Sequence, residues 1–139
     1  MTGRTPPTTP REGAGQLRWN SGGWAGSVLG MSLWMVLAAG LALAERAWGL
    51  AGGLAACAAL VVGTGVALWR VRASVAPLPA VLGLLAAGFV AAFVALRLMA
   101  GAPEVARVQG QLEHWPWWLA IFPGVAVLMV VIDRKGRRP

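Results

Sequence analysis

Four long runs of apolar residues, separated by short segments that hold nearly all of the charge, constrain this chain more than any other feature. The runs lie at about 24–44, 50–69, 77–99 and 116–132. At a rise of about 1.5 Å per residue, about 20 residues cross a hydrocarbon core of roughly 30 Å. The pattern therefore predicts an all-α membrane protein whose four transmembrane helices form an up-down bundle.

Composition favours lipid rather than water as the solvent of this chain. Of its 139 residues, 58% are hydrophobic and only 12% are charged, whereas soluble domains carry about 25% charged residues. A soluble chain of this length buries too little of its surface to hide so many apolar side chains. We expect a flexible tail with prolines and arginines at 1–21, one transmembrane domain at 22–133, and a basic tail at 134–139.

The residues that flank the runs are suited to starting or ending helices. Asn20 or Ser21 can accept hydrogen bonds from the free N–H groups at the start of the first helix. The gap at 45–49 is so short that the first two helices must form an antiparallel hairpin. Pro77 suits the first position of the third helix, and Gly101 predicts the end of that helix.

The segment between the third and fourth runs, residues 102–114, is only moderately apolar. Within it, Val105, Val108 and Leu112 fall at i, i+3 and i+7, which places them on one face of a helix. We therefore predict a short interfacial helix on the outer surface of the membrane between helices 3 and 4.

The distribution of basic residues predicts the orientation in the membrane, because loops rich in arginine and lysine stay in the cytoplasm. One side would carry nine of the twelve basic residues: Arg4, Arg11, Arg18, Arg70, Arg72, Arg134, Lys135, Arg137 and Arg138. The other side would carry Arg46, Arg97 and Arg107, balanced by Glu45, Glu104 and Glu113. Both termini are therefore predicted to be cytoplasmic, in a membrane that we take to be the bacterial cytoplasmic membrane.

The positions of the tryptophans independently support the same placement of the four spans in the membrane. Indole rings favour the interface between headgroups and hydrocarbon, where one edge of the ring is hydrated. Seven of the eight tryptophans fall at the predicted interfaces, and only Trp34 lies deep in a span. The predicted interface anchors are Trp19, Trp24, Trp48, Trp69, Trp115, Trp117 and Trp118.

Candidates for chemistry are few. Ionisable residues near the centre of a span usually indicate function, and here the nearest is Glu45, which we assign to the outer surface. His114 is the only histidine and has no second ligand that could complete a metal or haem site. Cys57 is the only cysteine and lies in mid-span, where a thiol behaves as a small hydrophobic group. We therefore predict no catalytic residue, no cofactor and no metal.

Small residues at helical spacing are the best candidates for function. Spacings of four between small residues let helix backbones approach closely. Such spacings occur in the first three runs, and the predicted packing residues are Gly26, Gly30, Ala59, Gly63, Gly83, Ala87, Ala91 and Ala95. They serve either the chain's own bundle or a contact with another chain. In the fourth run, Pro123 and Gly124 form a candidate hinge, because proline removes a backbone hydrogen bond.

Two classes of function remain after these exclusions. The first is a non-enzymatic accessory or structural subunit that packs against itself or a larger membrane complex. The second is an oligomeric channel or small-solute transporter, whose polar path would be lined by Ser27, Ser32 or Thr64. The absence of charge inside the spans favours the first class. The expected partners are the bilayer, anionic lipid headgroups at the cytoplasmic face and another membrane protein, with no role for nucleic acid, because the arginines lie between apolar runs rather than on a folded basic face.

Overall fold

A computed structural model describes residues 17–103, 117 and 119–136. These residues form four α-helices and contain no strand. The helices are α1 (Ser21–Ala44), α2 (Trp48–Arg70), α3 (Pro77–Ala100) and α4 (Ile121–Lys135). The predicted interfacial helix, with Val105, Val108 and Leu112, lies outside the described residues, as do Trp115 and Trp118.

The first three helices confirm the all-helical membrane fold. Each of α1, α2 and α3 is long and apolar enough to cross a membrane, and their ends fall within three residues of the predicted spans. The fourth helix differs from the prediction. It begins five residues later than expected, and its 15 residues rise only about 22 Å.

The ends of α1 explain why it folds back tightly onto α2. At its start, the Asn20 side-chain oxygen accepts hydrogen bonds from the N–H groups of Gly22 at 2.9 Å and Gly23 at 3.4 Å. At its end, Arg46 adopts a left-handed backbone with φ of 59°. This lets the Ala47 N–H donate to the Ala42 carbonyl at 2.8 Å, the closing bond of a Schellman turn. A turn of three residues, 45–47, then separates the two helices.

The connection to α3 is also defined by local chemistry. After α2, residues 71–75 form turns and a bend, in which the Ser74 N–H donates to the Val71 carbonyl at 2.9 Å. Pro77 then opens α3 at its first position, where a helix has no acceptor for an N–H group.

The core lies where α2 packs against α1 and α3, and α4 joins it by packing against α3. The largest fully buried side chains are Met35, Leu54 and Val61. Small residues such as Ala91 and Ala95 complete the core on α3. The outer faces of the helices carry exposed leucine, valine and phenylalanine side chains, as expected of a surface solvated by lipid.

Candidate functional site

Three glycines mark the closest approaches between the helices. A β-carbon built on Gly65 of α2 would lie 2.5 Å from a methyl carbon of Val28 on α1. A β-carbon on Gly53 would lie 2.6 Å from a methyl carbon of Leu98 on α3. Carbon atoms do not approach so closely without repulsion, since their optimal separation is about 3.5–4.0 Å. Each glycine therefore makes room for a large side chain of a neighbouring helix.

The third close approach brings α1, α3 and α4 together. A β-carbon on Gly88 of α3 would lie 2.7 Å from the sulfur of Met31 and 3.0 Å from a ring carbon of Phe122. The Phe122 ring also meets Phe89 edge to face, with centroids 6.0 Å apart, a favourable aromatic geometry. Because Gly88 is halfway along α3, α4 begins beside the middle of that helix.

The predicted packing residues are distributed over several surfaces. Ala91 and Ala95 are buried in the core, and Ala87 is half-buried. Gly83 is exposed, with only Leu68 within 4 Å of its built β-carbon. The remaining four are exposed: Gly26, Gly30, Ala59 and Gly63. Among the described residues, no neighbouring side chain or helix lies within 4 Å of a β-carbon built on any of these three glycines. Their role in packing stays a prediction.

The pair predicted as a hinge lies at the start of a helix. Pro123 is the third residue of α4, and a turn at 119–120 precedes that helix. In a first turn the missing N–H of proline costs nothing, because such groups have no acceptor inside the helix. The Gly124 N–H donates to the Ala120 carbonyl at 3.1 Å. A hinge at this point stays a prediction.

Three tryptophans meet at the end of the molecule where α1 begins and α2 ends. The ring centroids of Trp19 and Trp24 are 5.1 Å apart, and Trp69 lies 5.8 Å and 6.5 Å from them. The Arg72 guanidinium lies 4.6 Å from the centre of the Trp69 ring, within the range of a cation–π contact. We call these three rings and Arg72 the tryptophan cluster.

Hydrogen bonds fix this cluster to α2 and to the connection that follows it. The indole N–H of Trp24 donates to the Gly65 carbonyl at 3.0 Å, and that of Trp19 donates to the Val75 carbonyl at 3.2 Å. Sequence reasoning assigned these tryptophans to one membrane interface but missed their mutual contact. Trp48 and Trp117 are instead exposed and outside the cluster.

A lateral cleft of about 480 Å³ lies between α1 and α4, and residues of α3 also line it. Its walls include Gly26 and Gly30 on α1, Leu85 and Leu96 on α3, and Phe122 on α4. The surface of the cleft is almost entirely apolar. Ser27, which also lines it, donates its hydroxyl to the Gly23 carbonyl of its own helix at 2.9 Å.

The buried polar groups of the described residues are Ser32 and Asp133. The Ser32 hydroxyl donates to the Val28 carbonyl at 2.9 Å, a bond within α1 that is common for serine in membrane helices. The Asp133 side chain, in the last turn of α4, is only 2% exposed. Across the described ranges, no three histidine, cysteine, aspartate or glutamate residues lie close enough together to hold a metal ion. His114 lies outside those ranges.

Comparison of the chain with protein-family models, with curated protein sequences and with solved structures gave no match. The described residues offer two surfaces that another molecule could contact: the lateral cleft, and the exposed small residues Ala55, Ala59, Gly63 and Ala67 on α2.

Proposed function

We propose that this protein is a non-enzymatic membrane subunit that acts by packing one of its helices against another membrane protein, either a second copy of itself or a larger complex. This proposal rests on the small residues that are exposed on the outer face of α2. Four small residues at successive spacings of four are all exposed there: Ala55, Ala59, Gly63 and Ala67. We call them the α2 strip.

The α2 strip differs from the outer face of α1 that carries leucines. On α1, the exposed face carries large side chains, among them Leu29, Leu33, Leu37 and Leu41, which fill the space next to lipid chains. Small residues leave the backbone accessible, so a second helix gains van der Waals contact that a lipid chain provides less well. Since α2 packs against α1 and α3 through its other side, no helix of the described residues covers the strip, and we propose that a partner does.

We further propose that α4 completes a fourth crossing, with both termini in the cytoplasm of a bacterial cell. α4 begins beside the middle of α3, where Phe122 lies next to Gly88. The last turn of α4 carries Arg134 and Lys135. An antiparallel course along α3 brings these cations to the same end of the molecule as Arg18 and Arg72. This grouping of basic residues supports a cytoplasmic assignment for that end.

Labelling of single cysteines in intact cells tests the topology. In a Cys57→Ala background, Ala73→Cys and Gly136→Cys are expected to be shielded from a membrane-impermeant thiol reagent. Glu45→Cys, at the opposite end of the helices, is expected to be labelled. All three positions are exposed in the structure. Labelling of position 136 but not 73 would contradict a fourth crossing, and the reverse of the expected pattern would invert the orientation.

Added bulk on the α2 strip tests the function. Gly63→Leu and Ala59→Leu add volume without adding polarity, so membrane insertion is expected to survive. Overpacking of a contact costs about 1–3 kcal/mol, which lowers an association constant by about one to two decades. The measurement is the detergent-solubilised mass of the protein together with whatever co-purifies from membranes.

Ala86→Leu is the matched control, because Ala86 is exposed on α3, away from the strip. It should leave the assembly unchanged. A wild-type protein that is monomeric and purifies alone would refute the proposal, and so would a Gly63→Leu variant that assembles like the wild type.

The alternative of an oligomeric channel has less support from the described residues. The hydroxyls of Ser27 and Ser32 are engaged by the carbonyls of Gly23 and Val28 on their own helix. In that state each hydroxyl can only accept hydrogen bonds from water or a solute, which makes a poorly hydrated path, so we favour the packing function.

A further inference from the structure

The lateral cleft between α1 and α4 requires an occupant when the protein is in a membrane. Inside the hydrocarbon region, an apolar surface left uncovered forfeits its dispersion contacts, and water does not fill an apolar cavity. Gly26 and Gly30 widen the cleft, because no neighbouring side chain or helix among the described residues lies within 4 Å of the β-carbon positions of either glycine. Within the described part of the chain, the cleft is therefore open to a chain that enters from the side.

Basic residues lie at one end of each of two helices that line this cleft, before the start of α1 and in the last turn of α4. Arg18 lies three residues before the start of α1, and Arg134 and Lys135 form the last turn of α4; all three are exposed. They lie at the same end if α4 runs antiparallel to α3, so this step rests on the proposed function. Asp133, the residue before Arg134, is buried and makes an interaction within the protein, so the exposed ionisable side chains of this last turn are the two cations.

We propose that the cleft holds one acyl chain of an anionic phospholipid, whose phosphate is bound by Arg18, Arg134 and Lys135. The apolar walls match the chain, and the three cations match the headgroup. A helix of a partner protein would fill the walls but would bring no phosphate to the cations. Free phosphate would satisfy the cations and leave the walls uncovered. A phospholipid satisfies both with one molecule.

Native mass spectrometry of the purified full chain tests the site, with phosphatidylglycerol and phosphatidylcholine of the same chain lengths as probes. The wild type is expected to retain one phosphatidylglycerol preferentially. Gly30→Leu fills the cleft from a position with open space, so it should abolish retention without disturbing the fold, and Gly26→Leu should act in the same way. Unchanged retention by both leucine variants would overturn the acyl-chain site.

Removal of the cations tests the headgroup contact separately. Arg134→Gln and Lys135→Gln should each lower the affinity for phosphatidylglycerol by about fivefold, the equivalent of about 1 kcal/mol per charge near an anionic headgroup. Affinity for phosphatidylcholine should not change. Arg97→Gln, in the last turn of α3 at the other end, is the matched control. Equal retention of the two lipids by the wild type would overturn the role of the cations.

The test separates this site from the proposed packing function. Gly63→Leu should reduce assembly and leave lipid retention intact, because Gly63 is not part of the cleft. Gly30→Leu should do the opposite. Loss of lipid on Gly63→Leu alone would mean that the lipid belongs to the α2 strip, and would overturn the assignment to the cleft.

Discussion

On the face of α2 that meets α1 and α3, side chains of the neighbouring helices pack against Gly53 and Gly65. On the opposite face, none of the described residues of another helix comes within 4 Å of a β-carbon built on Gly63. The same residue type therefore does two different things on one helix. On the inner face the missing side chain is replaced by Val28 and Leu98. On the outer face it leaves the backbone bare. A small residue in a membrane helix therefore indicates a close helix contact only if it lies on the face that meets another helix.

The largest expected effect is that of Gly65→Leu, which would break the inner contact. A leucine side chain at this position has to displace Val28 and push α1 away from α2, since even its β-carbon would lie 2.5 Å from a Val28 methyl carbon. We expect a loss of stability of about 1–3 kcal/mol. The buried thiol of Cys57, the only cysteine in the chain, reports unfolding through its reaction with a thiol-reactive fluorophore.

Gly63→Leu, two residues away on the outer face, is the control for this experiment. Measured in a detergent that keeps the protein monomeric, it should leave the unfolding midpoint unchanged or raise it slightly, because leucine favours a helix over glycine by up to about 1 kcal/mol. Equal destabilisation by the two variants would remove the distinction between the two faces.

A smaller effect is expected from Trp24→Phe, which sharpens the comparison at the same inner contact. The substitution keeps an aromatic ring but removes the indole N–H that donates to the Gly65 carbonyl at 3.0 Å. Hydrogen bonds between membrane helices contribute about 0.6 kcal/mol on average. We expect a loss of that order in the same Cys57 assay.

Trp48→Phe is the matched control, because Trp48 is 71% exposed and outside the tryptophan cluster. It should have no measurable effect on the unfolding midpoint in detergent. A drop as large as that of Trp24→Phe would mean that the loss comes from replacing a tryptophan by a smaller ring, and not from the bond to Gly65.

Hydropathy was enough to predict the first three helices, because a run of apolar residues of membrane length has few alternatives to a helix. It was not enough for α4. The apolar run that begins at Pro116 includes a turn at 119–120 before the helix starts at Ile121. A turn and a helix of the same hydropathy cannot be distinguished by that measure. Pro123, which hydropathy placed inside a span, is near the start of a helix instead.

The glycines in close contact were missed for a related physical reason. In a soluble helix, the buried face is more apolar than the exposed face, and the difference shows which side is inside. Lipid chains are as apolar as a protein core, so this difference is absent here. Spacing alone identified Gly26, Gly30 and Gly63 but not Gly65 or Gly88. The row Gly53, Cys57, Val61 and Gly65, spaced by four along α2, was the available signal for the inner face.

The turn at 45–47 and the central place of α2 also have a consequence for biosynthesis. The described helix contacts occur mainly between consecutive helices, so each new helix finds its packing surface on the one made just before it. The pair α1 and α2 can close as soon as α2 has been synthesised, because only three residues of turn separate the two helices, and α3 then meets a surface that already exists. Low separation along the chain between contacting residues makes such assembly fast. The nascent protein therefore need not wait for its C-terminal part before most of its core is in place.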